Sequence, residues 1–83
     1  MIEEKIIEVI EILSQIEGDS TVPRNVRIKI KSATHALNGG EQILAVKIDR
    51  SIQELDEVAD DPNVPAYTKA QIWNVVSILE SLQ

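Results

Sequence analysis

Three groups of residues in this 83-residue chain could do chemistry. Asp60, Asp61 and Asn63, in the run DDPN, bring together three oxygen donors of the kind that Ca²⁺ or Mg²⁺ takes. Pro62 interrupts the spacing of a calcium loop, however, and the turn glycine and terminal bidentate Glu of such a loop are missing. Carboxylates ahead of a helix also satisfy free N–H groups and complement the helix dipole, and this structural role is the expected one. The second group is Arg24, Arg27, Lys31 and His35, at helical spacing with Ile28 beside them. It reads either as a stripe for phosphate or an acidic partner, or as a solvated face that pairs with neighbouring glutamates; the solvated face is the expected reading. The third is Trp73 with Tyr67. On the flank of a helix, Trp73 is expected to cover a neighbouring helix as a lid, the alternative being an anchor for a partner.

Composition narrows the chemistry further. There is no cysteine and one histidine, which removes disulfides, thiol nucleophiles and nearly every transition-metal site. His35 has no obvious nucleophile to activate. No Gly-rich phosphate loop and no Ser/His/Asp set is present, so no catalytic, cofactor or metal residues are assigned and a non-enzymatic protein is expected. The net charge of −6 opposes general nucleic-acid affinity, which rests on neutralising phosphates. The opening MIEEKIIEVIEIL carries regular glutamates, which suit neither a signal peptide nor a membrane span. A cytoplasmic location with no membrane contact is expected.

The elements that must position these residues are helices. Ile2, Ile6, Val9, Leu13 and Ile16 step by four and three, which places them on one face. Ile10 and Ile12 widen that stripe on both sides, so this helix should touch two neighbours. It ends near Gly18. Pro23 suits the first turn of a second helix, whose stripe is Val26, Ile30, Ala33 and Leu37. Asn38-Gly39-Gly40 should end it, because such residues tolerate positive φ. Leu44, Ile48, Ile52, Leu55 and Ala59 mark a third helix, and after DDPN a fourth starts near Pro65 with Ile72, Val75, Val76, Leu79 and Leu82. No run alternates as a half-buried strand does. Ile7, Ile28, Ile43 and Val46 miss every stripe, and if several meet on one surface they form a patch that a protein would normally cover.

Displaced by 42 positions, the chain matches itself at 9 of 41 overlapping positions. Lys5, Ile6, Ile10, Leu13, Asp19, Val22, Pro23, Ile30 and Leu37 fall on Lys47, Ile48, Ile52, Leu55, Asp61, Val64, Pro65, Ile72 and Leu79. Most are stripe residues or belong to an Asp-x-x-Val-Pro corner. The pattern predicts an all-α, four-helix bundle built from two similar hairpins, residues 1–38 and 41–83, joined at Gly39-Gly40, with an internal pseudo-two-fold repeat. The whole of residues 1–83 is expected to be one domain. A two-repeat solenoid without polar caps would be marginal.

The corners VPRNV and DPNVP, followed by Thr68, IWN and LESL, make the chain resemble an uncharacterised family of short archaeal proteins, number 0147. The resemblance implies an all-helical bundle in an archaeal cytoplasm, and it implies no activity. Function is therefore read from surfaces. Residues 1–17 carry −4 and residues 22–37 carry +4, a strong segregation between neighbouring helices. The leading expectation is an interaction or scaffold module with a protein partner or a second copy of itself. Its candidate contact residues are Arg24, Arg27, Ile28, Lys31, Ile43, Val46, Tyr67 and Trp73. The alternative is an accessory nucleic-acid-binding protein that uses Arg24, Arg27 and Lys31.

Overall fold

In a computed structural model, residues 2–40 and 42–83 are described. They form α1 (Ile2–Glu17), α2 (Arg24–Asn38), α3 (Leu44–Ala59) and α4 (Ala66–Ser81). Each helix packs on two neighbours, in the ring α1·α2, α2·α3, α3·α4 and α4·α1, and among the described residues no backbone approaches closely across the diagonal. The radius of gyration is 11.8 Å, about that of a compact chain of this length. Among the described residues no helix is long and apolar enough to cross a membrane.

The core follows the stripes. Val9, Leu13 and Ile16 of α1, Val26, Ile30, Ala33 and Leu37 of α2, Ile48, Leu55 and Val58 of α3, and Ile72, Val75, Val76 and Leu79 of α4 are all buried. Ile10 and Ile12 pack on the core's edges, as the two-neighbour position of α1 requires. Each fully buried Val, Leu or Ile stabilises by roughly 1.5–3 kcal/mol, so the ring is closed chiefly by aliphatic packing. Among the described residues two buried side chains are polar, Ser51 and Thr68. Under the 42-residue displacement Ser51 stands where Val9 is and Thr68 where Val26 is, and all four are buried.

The two corners have the same local chemistry. The Thr21 N–H donates to Asp19 Oδ1 at 2.9 Å and the Asn63 N–H to Asp61 Oδ1 at 2.8 Å. The Val22 N–H reaches the Asp19 carbonyl at 3.1 Å and the Val64 N–H the Asp61 carbonyl at 3.2 Å. Val22 and Val64 are buried beneath these turns. Pro23 and Pro65 occupy N-cap positions, one residue before the helices rather than inside their first turns. Their φ/ψ angles are −54°/145° and −58°/149°, and their carbonyls accept the N–H groups of Arg27 and Lys69, each at 3.0 Å.

Three expectations are corrected. Neither Gly39 nor Gly40 has positive φ; Gly39 sits at −61°/120°, so α2 ends by extending, with the Gly39 N–H on the Ala36 carbonyl at 3.4 Å. Low helix propensity, not left-handed geometry, explains a glycine there. Ile2 and Leu44, both placed on stripes, are 46% and 38% exposed, because they occupy first turns at the rim of the bundle. Trp73 is 52% exposed and is no closed lid.

Candidate functional site

The outward face of α1 and α2 holds most of the residues that could act on another molecule. On α1, Glu3, Ile7 and Glu11 point away from Val9, Leu13 and Ile16; on α2, Arg24, Ile28 and Lys31 point away from Val26, Ile30 and Ala33. Ile7 is 57% and Ile28 59% exposed. An acidic helix with an outward isoleucine thus lies beside a basic helix with an outward isoleucine.

Near the start of α2, Arg24, Arg27, Ile28 and Lys31 line a cleft of about 220 Å³ with Glu17 at its rim. Arg27 is half-buried, and its Nε is covered without a hydrogen-bond partner. Of the α2 cations, Lys29 is the one in an ion pair among the described residues, and it turns to Glu57 of α3. That contact raises the Lys29 pKa above its ordinary 10.5. Ser32 Oγ donates to Glu54 on the same side, at 3.0 Å. The expected pairing of the α2 cations with α1 glutamates is therefore not what the structure forms: Arg24, Arg27 and Lys31 make no ion pair among the described residues. The physical reason is rotational, since the α2 face with good ion-pair geometry is the one against α3.

At the other end of the same face, where α1 begins, α2 ends and α3 begins, there is an apolar groove of about 700 Å³. Ile2, Ile6, Ile7 and Ile10 form one wall and Leu37 and Leu44 the other, with Glu3, Asn38 and Lys47 at its edges. Ile43, the N-cap of α3, and Val46, in its first turn, are 71% and 43% exposed.

The remaining candidates do not converge. Tyr67 is 72% exposed, but six residues separate it from Trp73, which sets the two about 120° apart around α4. His35 is exposed on α2 near Arg50. Asp61 is engaged by the Asn63 N–H and, from α2, by Asn25 Nδ2 at 3.4 Å. Among the described residues there is no group of three or more His, Cys, Asp or Glu side chains able to hold a metal ion.

The profile of the Uncharacterised protein family (UPF0147) matches residues 1–82. The chain belongs to this family. UPF0147 proteins of Metallosphaera sedula and Pyrococcus furiosus are 40% and 39% identical to it, over 98% and 99% of this chain and 91% and 89% of theirs. The crystal structure of the unknown function protein MMP1188 superposes with a TM-score of 0.94 at 41% identity, covering 98% of this chain and 92% of that one. A crystal structure of a UPF0147 protein from Thermoplasma acidophilum does so with a TM-score of 0.92 at 32% identity, covering 98% and 95%. The UPF0147 family carries its fold to this chain and no described activity.

Sequence reading missed the groove. Ile2, Ile6, Ile10, Leu37 and Leu44 satisfy the helical stripes, so they were assigned to the core. The available signal was position, since all but Ile10 lie within about a turn and a half of a helix end beside the Gly39-Gly40 join, where the packed ring runs out.

Proposed function

We propose that this UPF0147 protein is a non-enzymatic interaction module whose groove and adjoining α1–α2 face take an amphipathic helix of a protein partner. The observation that carries this reading is the groove itself: apolar side chains from three helices, open to solvent, at a site large enough for binding rather than scattered singly. Its α1 wall runs from Ile2 to Ile10, a rise of about 12 Å or two helical turns. A facing helix with apolar residues at i, i+3 or i+4 and i+7 would fill it. The groove offers one carboxylate, Glu3, and one ammonium, Lys47, so it supplies contact area rather than acid–base chemistry. Ile43 and Val46 are exposed at the start of α3 but outside the groove's lining, and Tyr67 and Trp73 are exposed on different sides of α4.

The test is site-specific photocrosslinking in the native host, with the reactive residue at Ile7, at Ile43 and, as a control, at the exposed Ser77 of α4. Discrete adducts of defined mass at the first two positions and none at Ser77 are expected. Their absence at all three positions would end this reading.

The cations of the α2 cleft, which make no ion pair among the described residues, favour one other reading, nucleic-acid binding by Arg24, Arg27 and Lys31. Glu17 on the cleft's rim and the net charge of −6 weigh against it. It predicts RNA or DNA binding that weakens steeply with salt and is lost on reversing Arg27 and Lys31.

A further inference from the structure

The geometry points to the partner being a second copy of this chain, with α1 of each copy lying on α2 of the other. This inference rests on the interaction-module reading and names its partner.

The two helices of the face carry −4 over residues 1–17 and +4 over residues 22–37, equal and opposite. Within one molecule Arg24, Arg27 and Lys31 make no ion pair with an α1 glutamate among the described residues, and the Arg27 charge acts on Asp19 of the corner. Two of those cations, Arg24 and Arg27, stand in the first turns of α2, where the helix dipole disfavours positive charge. An acidic surface laid across them offsets that penalty.

Because α1 and α2 are adjacent and antiparallel, a two-fold axis running along the helices, between two facing copies, sets each acidic α1 on the partner's basic α2. One kind of contact is then made twice, which is the isologous arrangement of most homodimers. Any axis across the helices would set acid on acid. Ile7 and Ile28, the outward isoleucines of the two helices, supply the apolar component between the charges. The groove lies at one end of the same face.

The molecule measures 32 × 20 × 20 Å, so its long face offers about 640 Å² per copy and roughly 1,300 Å² for a pair, within the range of specific complexes. A purely acidic partner would use only the α2 half of this face, whereas a second copy satisfies both halves.

Charge-swapped variants test the arrangement. In one, Glu3→Lys, Glu11→Lys and Glu17→Lys shift α1 from −4 to +2, each reversal being worth two charges. In the other, Arg24→Glu, Arg27→Glu and Lys31→Glu shift α2 from +4 to −2. Wild type is expected to associate at low salt to twice its 9.2 kDa mass and to dissociate as salt rises. Each variant alone should associate at least about tenfold more weakly, and an equimolar mixture should recover association as a heterodimer. Helix content by circular dichroism checks folding. Should a triple variant unfold, Ile7→Ser with Ile28→Ser, both at exposed sites, should weaken association by about tenfold. A wild-type monomer up to about 1 mM, unchanged association in both variants, or folded variants whose mixture stays monomeric would each overturn the pairing. Crosslinks from Ile7 to a product other than twice the chain mass, with wild type monomeric, would overturn the second copy while leaving the interaction reading standing. No crosslink at all would remove both.

Discussion

Ala33→Leu should be among the more damaging conservative changes in the molecule. Ala33 is fully buried on α2, and Ser51, fully buried on α3, donates its hydroxyl to the Ala33 carbonyl at 3.3 Å. The two helices can approach this closely because both side chains are small. Three added carbon atoms have nowhere to go without pushing α3 away or forcing strained rotamers, which costs about 1–3 kcal/mol, and a separation that also breaks the Ser51 bond adds about 1 kcal/mol. For a domain of this size each kcal/mol is about 4–8 °C of melting temperature, so the summed cost of about 2–4 kcal/mol corresponds to a loss of roughly 8–30 °C. Thermal and guanidinium unfolding followed by helical circular dichroism provide the assay. Ala70→Leu, the same change at an exposed site on α4, is the control and should stay within about 0.5 kcal/mol of wild type. An Ala33→Leu protein as stable as the control would refute the close α2–α3 approach.

Other changes probe the corners and the join. Gly40→Ala should be neutral or raise stability by about 0.4–1 kcal/mol, because Gly40 has no positive φ and an added Cβ meets nothing within 4 Å; a clear loss in urea unfolding would restore the left-handed join. The Asp19 pKa is lowered from its ordinary 3.8, chiefly by the Thr21 hydroxyl and then by the Thr21 N–H. A group with a lowered folded pKa stabilises fully above its unfolded value, and that stabilisation is lost as pH falls through the folded one. Asp19→Asn should therefore narrow its stability gap to wild type below pH 3.8, measured as urea midpoints across the acid range; a gap that widens there would contradict the assignment. A circular permutant that starts at Gln42, links Gln83 to Ile2 through a short glycine linker and ends at Gly39 should keep its helix content and a single cooperative transition, since α1 and α4 already pack together. Loss of cooperativity would count against two interchangeable hairpins.

The helices were legible because aliphatic residues at steps of three and four leave little choice of face, and the corners because Asp-x-x-Val-Pro repeats with its hydrogen bonds intact. Ser51 and Thr68 were not recognised as buried, since a hydroxyl breaks the apolar stripe, although their counterparts Val9 and Val26 under the 42-residue displacement pointed there. Of the surface, Ile7, Ile28, Ile43 and Val46 were correctly singled out as lying off the stripes. The groove was hidden for the opposite reason: Ile2 and Leu44 lie on the stripes but beyond the end of the packed ring. Periodicity reports which way a side chain points, not whether a neighbour reaches far enough to cover it. The pairing of Lys29 with Glu57 rather than with an α1 glutamate likewise depends on helix rotation, which composition does not carry.

The most direct measurement is the mass of the wild-type protein by sedimentation equilibrium across a salt series at high concentration. The account predicts a species of twice 9.2 kDa at low ionic strength that gives way to the single chain as salt screens the facing charges. A mass of one chain at every salt and concentration would contradict it.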